Sequence, residues 1–166
     1  RLIAVCIHGG PLGYKGTTTI KGLATEVGDE YYRHWNFEYQ PVGIIGRGNA
    51  VNYTDWITAV RQVAEQTSEI FMDVEAVLNE SCIDITIISK ELNVHYEGWL
   101  QVWVVEDGIT AIQTMPDGTN KLDYVHNHVL RTPVNGMWGE KIIIDKDAPQ
   151  KTIIRQPLAS EWNIQN

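Results

Sequence analysis

The first 68 residues alternate between apolar runs of strand length and stripes with a helical period. The run Leu2–Ile7 is apolar without alternation, which is typical of a strand covered on both faces. A glycine-rich loop follows, and apolar residues then recur every four positions at Leu23, Val27 and Tyr31. This period predicts a helix that ends near Trp35.

A second strand and a second helix are predicted immediately after it. The segment Val42–Gly46 reads VGIIG and has the length and composition of a short buried strand. Asn52 or Thr54 can cap the following helix, because short polar side chains accept hydrogen bonds from the free N–H groups of a first turn. Strands that alternate with helices predict an α/β layer.

After Ser68 the helical period gives way to the alternation of strands. The segments Met72–Leu78 and Ile83–Ile87 predict a hairpin with one solvated face. Leu100–Val104 predicts a further strand. The Asp-Gly pair within Glu106–Ile109 then predicts a tight type I′ turn into a returning strand that ends at Thr114.

Two later segments, Lys141–Asp145 and Lys151–Arg155, also have the apolar content and length of strands. At least six short strands in under a hundred residues predict an antiparallel β-sandwich. The predicted fold is therefore α+β, with an α/β domain over residues 1–68 and a β-sandwich domain over residues 69–166.

Composition and charge exclude several classes of protein. Of the 166 residues, 43% are apolar, which is enough to build a core. Lys and Arg total 13 against 21 for Asp and Glu, so the net charge of -8 opposes binding to nucleic acid. No apolar run approaches the length of a membrane-spanning helix, and no signal peptide is recognisable. Because Leu2 already opens an apolar segment, we expect that a further segment precedes Arg1.

The two cysteines, Cys6 and Cys82, each lie in an apolar stretch of strand length. Core-like positions in separate segments favour two buried free thiols over a disulfide. Neither cysteine belongs to a CxxC motif, so the sequence predicts no redox or zinc site from them.

The segment LDYVHNHVLR contains the most conspicuous candidate site. His126 and His128 are two residues apart, and on one strand they would share a face and could bind zinc with His95 or Asp123. The alternative, histidines that bond to neighbouring backbone groups, is favoured because two imidazoles do not make a metal site. A nuclease is rejected, since contiguous HNH lacks the spacing of such sites and the net charge opposes DNA.

No other motif predicts catalysis. The loop His8–Gly16 lacks the G-x-x-x-x-G-K-[ST] spacing of a phosphate loop, and Gly43–Ala50 lacks the dinucleotide fingerprint. Neither G-x-S-x-G nor H-E-x-x-H occurs. The sequence predicts no catalytic residue, no metal site and no cofactor.

Tryptophans supply a second candidate surface. Trp99 and Trp103 are four residues apart and would share one face of a strand, opposite to Leu100 and Val102. If this face is exposed, the two indoles form a platform on which a ligand such as a sugar can stack. The alternative is a face buried against the α/β part.

Several segments together resemble a known family. These are LIAVCIHGG, EYQPVGIIGR, VVEDGITAIQ and YVHNHVLRTPVNGMWGEKI. The chain resembles, over nearly its whole length, the Bacteroidetes surface lipoproteins named for a twenty-eight-kilodalton outer-membrane protein. The motif residues that carry this resemblance are Pro41, Arg47, His126, Asn127, His128 and Arg131.

The resemblance implies a partial thioredoxin-like layer followed by a β-sandwich. It places Pro41 where thioredoxin-like folds carry a proline, often cis, that faces redox cysteines; those cysteines would precede Leu2. It also implies one further apolar strand beyond the EWNIQN end. The histidines are interpreted as residues that anchor the RTPVNGMWGE loop.

Three functions remain open at this point. The leading hypothesis is a non-enzymatic, adhesion-like binding module at the outer membrane or cell surface, held through an upstream lipid anchor, whose partner is an unknown protein or glycan. The second is a thiol-disulfide oxidoreductase with its CxxC upstream of this chain. The third is a carbohydrate-binding sandwich that uses Trp99 and Trp103.

Overall fold

The computed structural model describes residues 2–92, 95–145 and 148–164. Within them lie two short helices and eleven strands. The helices are α1 (Glu26–Trp35) and α2 (Trp56–Ala64). The strands are β1 (Val42–Ile44), β2 (Ala50–Asn52), β3 (Ile70–Leu78), β4 (Cys82–Glu91), β5 (Tyr96–Leu100), β6 (Trp103–Glu106), β7 (Ile109–Thr114), β8 (Asn120–His126), β9 (Val129–Pro133), β10 (Glu140–Ile144) and β11 (Gln150–Pro157).

The chain forms two compact units that are not continuous in sequence. The first comprises Arg1–Gln66 and Val105–Leu130, and the second comprises Thr67–Val104 and Arg131–Asn166. Part of the predicted sandwich region therefore lies in the first unit. The domain boundary at Ser68 stays a prediction, because compactness in one structure does not measure independent folding.

The first unit contains both helices, and local capping fixes where α1 begins and ends. The Thr25 side chain accepts a hydrogen bond from Gly28 N at 3.0 Å, which satisfies one free donor of the first turn. Asn36 adopts the left-handed conformation at φ +48° directly after Trp35, the residue near which the helix was predicted to end. Asn52 accepts from Thr54 N at 3.1 Å and caps a 3-10 turn over Tyr53–Asp55 that leads into α2.

The predicted strand Leu2–Ile7 is wrong for these residues. Only Cys6 pairs, through a parallel bridge to Val129 in which Leu130 N donates to Cys6 O at 2.9 Å. Leu2 is 70% exposed and Ile3 is 79% exposed. The apolar composition of this segment is typical of a buried strand. Because only one of its residues pairs with a strand, the other residues stay exposed to solvent.

The second unit is a small sandwich. One sheet has the strand order β11-β4-β3, the other pairs β10 with β5, and all of these neighbours are antiparallel. The core between them consists of Ile85, Ile87, Leu100, Ile142 and Ile144. Ile85 and Ile87 of β4, like Ile142 and Ile144 of β10, are two positions apart, as side chains on one strand face must be. The α+β class and the sandwich-like arrangement are confirmed.

Two strand predictions need correction. The predicted strand Leu100–Val104 is interrupted, since β5 ends at Leu100 and β6 begins at Trp103. The predicted Asp-Gly hairpin does not form either: Gly108 has a φ of +68°, but β6 pairs with β9 while β7 pairs with β8. Sequence signals for a turn give its local shape but do not determine which strands pair across it.

The cysteine prediction holds in part. Cys6 and Cys82 are both free thiols. Cys6 is exposed and Cys82 is half-buried, so the expected burial is wrong. Cys6 is exposed for the same reason as Leu2 and Ile3, because its segment lacks a second strand partner.

Candidate functional site

The two histidines of the HNH segment do not share a strand face. His126 is the last residue of β8 and is buried, whereas His128 lies between β8 and β9, is exposed and has a φ of +58°. A reversal of the backbone between them removes the geometry that a zinc pair requires. No cluster of three or more metal-ligating side chains occurs within residues 2–92, 95–145 and 148–164.

Asn127 and His128 connect two loops of the first unit. Asn127 Oδ1 accepts a hydrogen bond from Gly108 N at 2.9 Å. The Asp107 carboxylate accepts from His128 N and lies 3.0 Å from His128 Nδ1. These contacts go to the Asp-Gly segment before β7, not to the RTPVNGMWGE loop that the sequence interpretation named.

His126 packs in an aromatic cluster with His8 and Tyr124. The ring centroids lie 5.2 Å apart for His8 and His126, and 4.8 Å apart for Tyr124 and His126. Burial, and the proximity of His126, lower the pKa of His8 to about 4. Burial also lowers the pKa of His126, against hydrogen bonds to the backbone that raise it. Both imidazoles are therefore neutral near pH 7, and their role here is packing.

The remaining family-motif residues lie beside β1 or within β9. Pro41 follows a cis peptide bond from Gln40 and precedes β1, and Arg47 follows β1 with a φ of +61°. Within the described ranges, neither Pro41 nor Arg47 forms a side-chain hydrogen bond or ion pair. Arg131 is half-buried in β9 and belongs to the second unit.

The strand pair β5/β10 presents the most exposed tryptophan of the candidate surface. Trp99 is 63% exposed and lies opposite Lys141, and Glu97 lies opposite Ile143. These four side chains share the solvent face, because the alternate positions Leu100, Ile142 and Ile144 point into the core. We call Glu97, Trp99, Lys141 and Ile143 the Trp99 face.

Trp103 does not extend this face. It lies in β6, beyond the break after Leu100, and is half-buried with its indole nitrogen shielded from solvent. The ligand platform predicted from two tryptophans of one strand is therefore reduced to Trp99. Its cross-strand neighbours Lys141 and Ile143 come from β10, and the pairing of β10 with β5 cannot be predicted from residue spacing.

A row of charged groups borders Trp99. Lys141 Nζ lies 2.7 Å from Glu97 Oε2. His95 places Nε2 3.3 Å from Glu97 and Nδ1 2.8 Å from Asp145. The hydrogen bonds to Glu97 and then to Asp145 raise the pKa of His95, because only the imidazolium can donate from both nitrogens. Lys141, and then His95, lower the pKa of Glu97.

Asn135 holds the break between β5 and β6, and sequence reasoning missed this residue. It is 7% exposed. Its Oδ1 accepts from Val102 N at 2.8 Å and its Nδ2 donates to Leu100 O at 2.7 Å. An amide that pairs with a backbone N–H and a backbone C=O replaces a missing strand partner. The only sequence signal is an Asn-Gly pair in a loop, which marks a turn but not this partner.

A second aromatic surface lies in the first unit. A shallow depression there is lined by Trp35, Asn36, Phe37, Glu38, Tyr39, Val42 and Ala50. The Trp35 and Phe37 rings stack at 5.8 Å, and both are half-buried. These two rings support the loop after α1, which leaves Tyr39 as the exposed aromatic side chain of the depression.

None of the helices in the described part of the chain is long and apolar enough to cross a membrane. No curated protein and no solved structure matches the chain. The family model of the outer membrane protein Omp28 matches residues 28–166, which is most of the sequence. The chain therefore belongs to the Omp28 family of outer membrane proteins and is a protein of the cell envelope.

Proposed function

We propose that this protein is a non-enzymatic, adhesion-like binding module of the outer membrane, and that its Trp99 face binds a glycan. The observation that carries the proposal is the exposure of Trp99 on a face whose opposite side is the core of the sandwich. A large aromatic ring held on a rigid sheet and left in solvent is typical of a binding surface. The resemblance to surface lipoproteins supports attachment through a lipid.

The composition of the Trp99 face suits a sugar. A pyranose ring can stack its C–H face on the indole, while its hydroxyls bond to Glu97 and Lys141 beside it. Both charged groups are exposed, so their ion pair is weak and can open for a ligand at little cost. The sheet is already formed, so binding requires little ordering of the chain.

The alternative of thiol-disulfide exchange has less support from these residues. The CxxC of that hypothesis would precede this chain, and Cys6 and Cys82 do not form a CxxC themselves. Although Cys6 is exposed as a residue, its sulfur is partly shielded from solvent, and this partial burial and then the nearby Asp107 carboxylate raise the pKa of its thiol. A raised pKa disfavours the thiolate, the form that attacks a disulfide.

A glycan array with the purified protein tests the proposal. We expect binding to a subset of glycans, and a loss of about five- to tenfold in affinity for Trp99→Ala, since stacking on an aromatic ring contributes on the order of 1–1.5 kcal/mol. Tyr39→Ala is the matched control, because Tyr39 is also an exposed aromatic residue but lies in the depression of the first unit. If no glycan binds, or if Tyr39→Ala removes binding and Trp99→Ala does not, the proposal is wrong.

A further inference from the structure

The edge strand β3 has an open side. In the sheet order β11-β4-β3 it has β4 as its only neighbour among the described strands. Asn79 N donates to Cys82 O at 2.8 Å, and Leu92 N donates to Glu69 O at 3.0 Å. Both bonds fit the register of β3 on β4, so the odd-numbered residues of β3 bond to β4.

It follows that the even-numbered residues of β3 turn their N–H and C=O groups to the open side. Ile70 is partly satisfied, because the Ser68 hydroxyl contacts both of its backbone groups. The positions that remain available for an added strand are Met72, Val74, Ala76 and Leu78. We call these four residues the β3 stripe.

The side chains of the β3 stripe point to the core face of the sheet but are exposed. Val74 lies opposite Ile87 and Ala76 lies opposite Ile85, and both isoleucines are buried. Val74 itself is 58% exposed. The apolar face of the sheet therefore continues from β4 onto β3, where nothing in the described residues buries it. A further strand beside β3 would extend this apolar face.

The opposite face of β3 carries two carboxylates. Asp73 and Glu75 are exposed, and neither forms an ion pair within the part of the chain that the structure describes. Directly opposite them on β4 lie Ile88 and Thr86, and the exposed Lys90 of the same face lies opposite Phe71. In a strand added to the open side, the residues facing Asp73 and Glu75 are at non-hydrogen-bonded positions, where side chains approach most closely.

These charges select between possible occupants. If two copies of β3 pair antiparallel so that their β3 stripes overlap completely, Glu75 of one copy lies opposite Glu75 of the other. If the pairing is centred on Val74 instead, Asp73 of each copy lies opposite Glu75 of the other. Like charges directly opposite each other destabilise a strand pair, so they disfavour a second copy. A strand with basic residues at these positions is favoured by the same carboxylates and by the net charge of -8.

We infer that β3 is a docking edge for an extended segment of a partner protein, in which apolar residues alternate with Lys or Arg. The apolar residues pack beside the β3 stripe, the basic residues pair with Asp73 and Glu75, and the backbone adds a fourth strand to the sheet. This inference does not depend on the glycan proposal, because it uses a different sheet of the second unit.

The first test uses a labelled seven-residue peptide of alternating valine and lysine, with a valine–glutamate peptide as control, and measures binding by fluorescence anisotropy. We expect the lysine peptide to bind and the glutamate peptide not to bind. Asp73→Asn and Glu75→Gln should each weaken binding by up to about fivefold, the effect of one cross-strand charge pair. Glu161→Gln, an exposed acidic residue of the same unit outside β3, should leave it unchanged. Equal binding of both peptides would overturn the inference.

Backbone variants and hydrogen exchange locate the bound strand. Val74→Pro removes an N–H that points to the open side, a position where an edge strand tolerates proline, and should abolish peptide binding. If this variant does not fold, the double variant Asp73→Lys and Glu75→Lys is used instead. It should bind the valine–glutamate peptide more tightly than the valine–lysine peptide. Peptide binding should protect the amides of Met72, Val74 and Ala76. Protection of these amides by higher protein concentration alone would show that a second copy is the occupant and would overturn the inference.

Discussion

Replacement of Asn135 by alanine should destabilise the second unit more than any exposed polar substitution. Asn135 supplies both the acceptor for Val102 N and the donor for Leu100 O, and it is buried. Alanine leaves both backbone groups without these partners, at about 1–3 kcal/mol for each buried unsatisfied group. Water can reach part of this break, because the neighbouring Gln101 is exposed. We therefore expect a loss of about 2–4 kcal/mol in the free energy of unfolding.

Urea unfolding followed by tryptophan fluorescence measures this loss, and hydrogen exchange locates it. The Val102 amide should lose protection in Asn135→Ala, while the amides of the paired residues in β4 keep theirs. Asn79→Ala is the matched control, because the Asn79 side chain bonds to Asp84 at an exposed turn and water can replace it. We expect this control to change stability by less than about 1 kcal/mol. Equal effects of the two alanine variants would refute the role given to Asn135.

Three further predictions concern packing and pH. Gly28→Ala should lower the free energy of unfolding by more than about 2 kcal/mol in urea unfolding. The added Cβ would clash with the backbone oxygen of His8, and no side-chain rotation can relieve a clash with the backbone. Gly48→Ala, at an exposed position, is the control. The pKa of His8 is near 6.5 in the unfolded chain and about 4 in the folded chain. The free energy of unfolding should therefore fall by about 2–3 kcal/mol as the pH decreases from 6.5 to 4. His8→Phe should remove this contribution to the pH dependence of the free energy of unfolding. Ile144→Ala should destabilise by about 2–5 kcal/mol, since Ile144 is fully buried, whereas its exposed neighbour in Ile143→Ala should change the melting temperature little.

Strand periodicity predicted β4 and β10 well because each of these strands has one buried face. Ile85 and Ile87 alternate with polar residues, so the pattern predicts both the presence of the strand and which of its faces is buried. The run at Leu2 has no such alternation, and its apolar residues alone could not show that they lack a sheet partner. Periodicity reports which face is buried only where two faces differ.

The candidate sites could be predicted only in part, because they depend on pairing between distant segments. The exposure of Trp99 follows from its alternation with Leu100, but its neighbour Lys141 follows from the β5/β10 register. His126 and His128 were close in sequence, yet the backbone reversal between them separates a buried ring from an exposed one. Asn135 was missed because its two partners lie more than thirty residues away in the chain.

Resonance mapping of the bound state shows which surface of the protein contacts a glycan. A two-dimensional NMR spectrum of the labelled protein can be recorded with and without the strongest glycan ligand from the array. We expect the indole N–H signal of Trp99 and the methyl signals of Ile143 to shift on binding, while the Tyr39 signals of the first unit stay in place. Shifts confined to the depression around Tyr39, with Trp99 unchanged, would contradict the assignment of the Trp99 face as the binding surface.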